Sequence, residues 1–169
     1  MEKRKGIVTM GGNPMTLLGK ETKVGDIAPD FTALKSDLSP YSLKDAGDNI
    51  KIISVVTSLD TGICEMQTIK FNEEAAELDN VVVITLSVDL PFAQKRFCSS
   101  NSIDKVITLS DHRDLDFGLK YGVVMEEVRL LSRSIVVLDK NNKVVYVEYL
   151  DQIGKHPDYD KALEAVKNI

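Results

Sequence analysis

Three near-continuous apolar runs dominate the pattern of the chain: Ile50-Lys51-Ile52-Ile53-Ser54-Val55-Val56, Val81-Val82-Val83-Ile84-Thr85-Leu86-Ser87-Val88 and Lys105-Val106-Ile107-Thr108-Leu109-Ser110. Short β-branched runs of this kind predict strands covered on both faces of a sheet. After the first run, Cys64, Thr68, Phe71, Ala75 and Leu78 recur at alternating spacings of four and three. That spacing predicts a helix over 64–78 with these residues on its inward face. After the second run, Pro91 stands where a helix tolerates proline, in its first turn, and the helix should continue through Cys98. A short helix over 115–121 follows the third run. Arg133-Ser134-Ile135-Val136-Val137-Leu138 and Val144-Val145-Tyr146-Val147-Glu148-Tyr149-Leu150 flank the polar Asp139-Lys140-Asn141-Asn142-Lys143, which is a hairpin signal, and 158–168 is a closing amphipathic helix.

The first fifty residues are simpler. Gly6-Ile7-Val8-Thr9-Met10, a turn at Gly11-Gly12-Asn13-Pro14, and Met15-Thr16-Leu17-Leu18 predict an N-terminal hairpin. An extended approach over 20–30 leads to a strand at 31–34, a polar loop, and a short turn or helix at 42–47 closed by Gly47. The central order is β-α-β and then β-β-α. It predicts an α/β fold with a mixed central sheet flanked by helices, the thioredoxin-like arrangement, with the N-terminal β-hairpin added. No repeat or low-complexity linker interrupts 1–169, so a single domain is expected.

Composition narrows the function classes. The chain is 43% hydrophobic and 28% charged, with a net charge of −5. An acidic chain without a long basic run carries no electrostatic footprint for nucleic acid. Met1-Glu2-Lys3-Arg4-Lys5 does not resemble the start of a signal peptide and no long apolar span follows, so no membrane association and a cytoplasmic location are expected. There is no Gly-rich phosphate loop. The two cysteines, Cys64 and Cys98, form no C-x-x-C, and His112 and His156 lack ligand-like spacing from either, so neither metal nor organic cofactor is expected.

The candidate chemistry lies between the first strand and its helix, at Thr57-Ser58-Leu59-Asp60-Thr61-Gly62-Ile63-Cys64. A cysteine in the first helical turn faces unpaired backbone N–H groups and the positive end of the helix dipole, which favour a nucleophilic thiolate. Thr61 suits the N-cap position. Its hydroxyl has two readings, capping the Cys64 N–H or facing the sulfur pocket. Asp60 opposes negative charge on the sulfur, so a cation should compensate. Arg133 is the favoured one because it opens an otherwise apolar strand, and a buried arginine needs a partner. The alternative is a strand-edge arginine reaching solvent; Arg113 and Arg129 lie in more polar surroundings. Cys98 precedes Ser99-Ser100-Asn101-Ser102, a segment that should fray, as suits a second thiol that must leave its place. A buried core cysteine remains the other reading. Asp111-His112-Arg113-Asp114 reads as a strand-to-helix loop with an Asp near the helix N-terminus.

Taken together, several segments resemble bacterial thiol peroxidases, the atypical two-cysteine peroxiredoxins. They are the run from Ser54 to Cys64 with Lys70-Phe71-Asn72, Asp89-Leu90-Pro91-Phe92-Ala93-Gln94-Lys95-Arg96-Phe97-Cys98, and Leu109-Ser110-Asp111-His112-Arg113-Asp114. Arg129-Leu130-Leu131-Ser132-Arg133-Ser134, Pro157-Asp158-Tyr159-Asp160, Gly12-Asn13-Pro14 and Pro29-Asp30-Phe31 extend the match to nearly the whole chain. The resemblance implies Cys64 as peroxidatic and Cys98 as resolving cysteine, closing an intramolecular disulfide. Thr61 and Arg133 match the residues that bind peroxide and activate the sulfur. It further implies a hydroperoxide substrate, thioredoxin as reductant and a homodimer. One departure stands out: Thr57 occupies the place of the motif proline, beside the substrate. A proline there shields the thiolate, so a wetter site and slower turnover are expected, and a redox-sensing switch with little turnover is the alternative function.

Overall fold

The computed structural model describes residues 1–169. Its strands are β1 (Lys3–Met10), β2 (Asn13–Leu18), β3 (Thr32–Leu34), β4 (Pro40–Ser42), β5 (Ile50–Val55), β6 (Val81–Ser87), β7 (Val106–Ser110), β8 (Val124–Met125), β9 (Leu130–Leu131), β10 (Ser134–Leu138) and β11 (Val144–Tyr149). The helices are α1 (Gly62–Ala75), α2 (Pro91–Ser100), α3 (Asp116–Lys120) and α4 (Tyr159–Lys167), and Leu43–Ala46 forms one 3₁₀ turn. That turn is closed by Gly47 at φ 63°, a left-handed position that glycine adopts freely.

The large sheet has seven strands in the order β11-β10-β5-β6-β7-β3-β4. The three apolar runs form its parallel centre, β5-β6-β7. Antiparallel β10 adds on one side and antiparallel β3 on the other, giving the mixed thioredoxin-like sheet that the element order implies. Side chains alternate between its two faces. Ile52, Val83, Ile135 and Val137 pack with Phe71 of α1 and with Ala162, Leu163 and Val166 of α4. Ile53, Val55, Ile84, Leu86 and Val136 fill the opposite face with Phe31, Phe117 and Tyr121.

The N-terminal hairpin forms, but in a wider setting than the sequence implied. Its turn is only Gly11-Gly12, and Asn13 and Pro14 already belong to β2. β8 pairs with β2 only at Leu17 and Leu18, so Pro14 faces no further strand and its missing N–H costs no ladder bond. β8 and β9 extend the hairpin into a separate four-stranded sheet, β1-β2-β8-β9. Neither of these two-residue strands, nor β4, was expected, because so few residues display no period. Leu18, Val124 and Leu131 share the large core cluster, which joins the two sheets.

Candidate active site

β5 ends at Val55, the chain turns through Thr57 to Asp60, and α1 begins at Gly62. Thr61 is its N-cap residue, with extended backbone (φ −109°, ψ 144°), and its carbonyl accepts the Glu65 N–H at 2.9 Å. Cys64 therefore sits in the first turn. It is completely buried, in a cluster with Val56 and Leu59, and the half-buried Phe97 of α2 leans against that cluster. Thr61 and Gly62 are exposed, so the start of the helix separates the buried sulfur from solvent.

The capping reading of Thr61 does not hold. Its hydroxyl makes no cap bond; it donates to the Ser58 carbonyl at 2.9 Å, tightening the loop. With the hydroxyl hydrogen so used, its lone pairs remain available to accept.

Arg133 immediately precedes β10, and at 1% exposure it is among the largest fully buried side chains. It does not reach solvent. Nη2 lies 3.1 Å from Cys64 Sγ, Nη1 donates to Gln67 Oε1 at 2.8 Å, and Nε donates to the Ile153 carbonyl at 3.0 Å. No carboxylate forms an ion pair with it. A guanidinium held in a fork has its direction fixed, here with one prong on sulfur. Gln67 is a residue the sequence reading passed over. It is fully buried one turn after Cys64, and its Nε2 donates to Ser54 Oγ at 2.7 Å. A polar side chain three positions after the cysteine, on the inward face, was the signal that could have found it.

Thr57 is 2% exposed, and its Oγ1 has no hydrogen-bond partner. Leaving a buried hydroxyl unpaired costs about 1–3 kcal/mol. The expected wetter site is therefore not matched by an exposed side chain at position 57.

Cys98 lies in the last turn of α2 and is half-buried; neither cysteine is bonded to the other. Its sulfur and Thr108 Oγ1 of β7 share a hydrogen bond at 3.7 Å. Burial pushes the Cys98 thiol above its ordinary value, and the Thr108 bond opposes that rise. Ser54, Thr85 and Thr108 are in register across β5, β6 and β7, so a row of hydroxyls crosses the sheet face beneath α1 and α2. Gln67 holds one end, Cys98 the other, and Thr85 Oγ1 between them is buried without a partner. Tyr159 of α4 borders the same region: burial raises its hydroxyl, Arg133 opposes the rise and Cys64 adds to it.

The Asp111-His112-Arg113-Asp114 segment is the loop before α3, as expected. The Asp111 carboxylate accepts the Phe117 and Gly118 N–H groups at 3.1 and 2.8 Å, and burial pushes it up to about 6. No group of three or more His, Cys, Asp or Glu side chains is gathered to hold a metal ion.

Fold and site together define a class, the thioredoxin-like proteins that carry a buried thiol at a helix start. Comparison with known proteins narrows it. The Redoxin family model matches residues 23–163. A thiol peroxidase of Halalkalibacterium halodurans is 59% identical over 160 residues, 95% of this chain and 96% of that relative. One from Bacillus subtilis is 56% identical over 160 residues, 95% of this chain and 96% of that relative. Among solved structures, a peroxiredoxin-like protein from Aquifex aeolicus superposes with a TM-score of 0.90 at 41% identity, covering 99% of each chain. The thiol peroxidase from Chromobacterium violaceum shares the fold at a TM-score of 0.86 and 22% identity, covering 95% of each chain. The chain belongs to the redoxin family and, within it, to the bacterial thiol peroxidases.

Proposed function

We propose that the protein is a thiol-dependent peroxidase that reduces hydrogen peroxide and organic hydroperoxides at Cys64. The observation that carries this reading is the 3.1 Å approach of Arg133 Nη2 to Cys64 Sγ in a fully buried pocket. A buried guanidinium without a carboxylate partner is compensated by negative charge on the sulfur it touches. The Cys64 thiolate attacks the terminal oxygen of the hydroperoxide in line. An S–O bond forms, with the hydroperoxide's own O–H retained on the transferred oxygen; the O–O bond breaks, and the departing oxygen takes a proton from solvent to leave as an alcohol or water. Two of the five guanidinium N–H donors are left after the three bonds made by Nε, Nη1 and Nη2, and they stabilise charge on that oxygen. Thr61, its hydrogen given to Ser58, accepts the O–H of the incoming hydroperoxide. Thr57 offers its unpaired hydroxyl to the same substrate.

Cys64 is left as a sulfenic acid. The Cys98 sulfur then attacks it, the S–O bond breaks, and hydroxide leaves with the Cys98 proton as water, closing a Cys64–Cys98 disulfide. Cys64 is held by Arg133, which leads into β10, and Cys98 by Thr108 of β7, two strands separated by β5 and β6 and so roughly 14 Å apart at the usual inter-strand distance. A disulfide needs Cα atoms within about 7 Å, so the first turn of α1, the last turn of α2, or both must open. A dithiol protein, thioredoxin, returns both thiols to the reduced state. No metal or organic cofactor takes part. A cytoplasmic homodimer fits the reading, although both cysteines in one chain allow resolution within a protomer.

The test is hydroperoxide consumption coupled to thioredoxin and its reductase. Cys64→Ser is expected to be inactive, and activity in that variant sinks the peroxidase reading. Cys98→Ser is expected to react once and then stall; full coupled turnover removes its resolving role. Stoichiometric oxidation of the unaltered protein without turnover favours the redox-sensing switch instead.

A further inference from the structure

Asp89 stands between β6 and α2, and no step of the proposed reaction uses it. Its carboxylate nonetheless ties the two cysteine-bearing segments together. Oδ1 accepts the Ser58 hydroxyl at 2.8 Å, and Oδ2 accepts both the Leu59 N–H and the Ser87 hydroxyl at 2.8 Å. Ser58 and Leu59 belong to the loop that leads into α1, and Leu59 packs in the same small cluster as Cys64. Ser87 Oγ in turn accepts from Gln94 Nε2 at 3.0 Å. Gln94 is fully buried in α2, one turn before Cys98 and on the same side of the helix, and it also donates to the Leu109 carbonyl at 2.9 Å. The Asp89 carbonyl is fixed as well, by the Ser110 hydroxyl at 2.5 Å. One carboxylate thus holds the Cys64 loop directly and the Cys98 helix through Ser87.

We infer that Asp89 is a positioning residue that clasps the Cys64 loop in its closed, peroxide-receiving arrangement and must release it for Cys64 to meet Cys98. The inference rests on the disulfide cycle proposed above. Both the Ser58 and the Leu59 bonds are hydrogen bonds to a carboxylate, the stronger kind, and Leu59 is the residue through which the loop touches the Cys64 cluster. A firm clasp keeps Cys64 against Arg133 and delays resolution. A weak clasp favours resolution at the expense of the peroxide step. The same carboxylate therefore sets the partition of the sulfenic acid between disulfide formation and overoxidation by a second peroxide.

The test compares wild type with Asp89→Asn, Asp89→Ala and Ser58→Ala. Three quantities are followed by rapid mixing and mass spectrometry after addition of hydrogen peroxide: oxidation of Cys64, formation of the disulfide, and formation of Cys64 sulfinic acid. The Asp89 variants are expected to oxidise about tenfold more slowly, form the disulfide severalfold faster, and accumulate less sulfinic acid. Ser58→Ala, which loses one of the bonds to the carboxylate, along with the Asp60 N–H that Ser58 Oγ accepts at 3.2 Å, and keeps the Leu59 bond, should move in the same direction by less, and it decides the matter if the Asp89 variants fail to fold. In all of them hydrogen exchange of the Leu59 amide should quicken while that of β5 and β6 holds. Oxidation and disulfide formation changing by one common factor, or exchange rising evenly through the sheet, would mean an ordinary structural role and overturn the inference. If wild type itself forms no Cys64–Cys98 disulfide, the underlying cycle falls; if it does and the partition is unmoved in the variants, only the clasp falls.

Discussion

Gln67 and Arg133 fix one another in the interior: Gln67 Oε1 accepts from Arg133 Nη1 at 2.8 Å while Gln67 Nε2 donates to Ser54 of β5. The amide thereby pins the guanidinium to the sheet and to α1 at once. The remaining prong, Nη2, has Cys64 Sγ as its partner. The orientation of the arginine is set by a neutral acceptor, which leaves its charge for the sulfur.

Replacing Gln67 by Leu should therefore disorganise the arginine without removing it. One N–H of a buried charge and the Ser54 hydroxyl lose their partner, at a cost of about 2 kcal/mol to stability. The second-order rate of Cys64 oxidation, followed by stopped-flow with hydrogen peroxide, should fall by about 10–100-fold by the same energy. An unchanged rate would show that packing alone holds Arg133 in place.

Arg133→Lys keeps a positive charge and loses the fork. A single ammonium cannot meet Gln67, the Ile153 carbonyl and Cys64 with the spacing the guanidinium spans. Peroxide oxidation of Cys64 is expected to drop by at least about 100-fold, since donors aimed at developing charge are commonly worth that much. Near wild-type turnover in the lysine variant would mean that charge suffices without direction.

Thr57 can be probed at constant shape. Thr57→Val removes a buried hydroxyl that has no partner and should raise stability in urea by about 1 kcal/mol. If the hydroxyl receives the substrate, kcat/KM for hydroperoxide falls at the same time, so that stability and activity part company. Thr57→Pro restores the motif residue and is expected to raise the rate; no change would make the proline dispensable in this chain.

The resolving step should depend on pH through Cys98. Burial raises this thiol in the folded protein, so its contribution to holding α2 is fully present below the ordinary thiol value, about 8.5, and is lost as pH rises through the folded-state value. Alkaline pH thus loosens the helix and generates the attacking thiolate together. Disulfide formation, measured after a single equivalent of peroxide, should accelerate upward across that range. Thr108→Val removes the bond that opposes the rise and should move the profile to higher pH. A flat profile would place the slow event outside Cys98.

Much of the framework was legible in the chain. The runs at 50–56, 81–88 and 105–110 became β5, β6 and β7, each with one end displaced by a single residue, because strands buried on both faces have few substitutes for β-branched side chains. The start of α1 and the place of Cys64 in its first turn were legible for a similar local reason. β4, β8 and β9 were not, since strands of two or three residues are held by their neighbours and carry no pattern of their own. Gln67 was half legible: its inward position followed from the helical period, but its partners did not.

The sequence by itself determined the order of the elements, the helix-start cysteine and, through its motifs, the family. Each depends on residues close together in the chain, where spacing and backbone preference act directly. The destination of Arg133 was open between solvent and sulfur until β10 paired with β5 and brought residues 64, 67 and 133 to one buried point. The direction of the Thr61 hydroxyl, the unpaired state of Thr57 and the hold of Asp89 on Ser58 and Leu59 were decided in the same way. Hydrogen bonds between distant segments are selected by how the sheet assembles, and a linear pattern carries no record of which donor will face which acceptor.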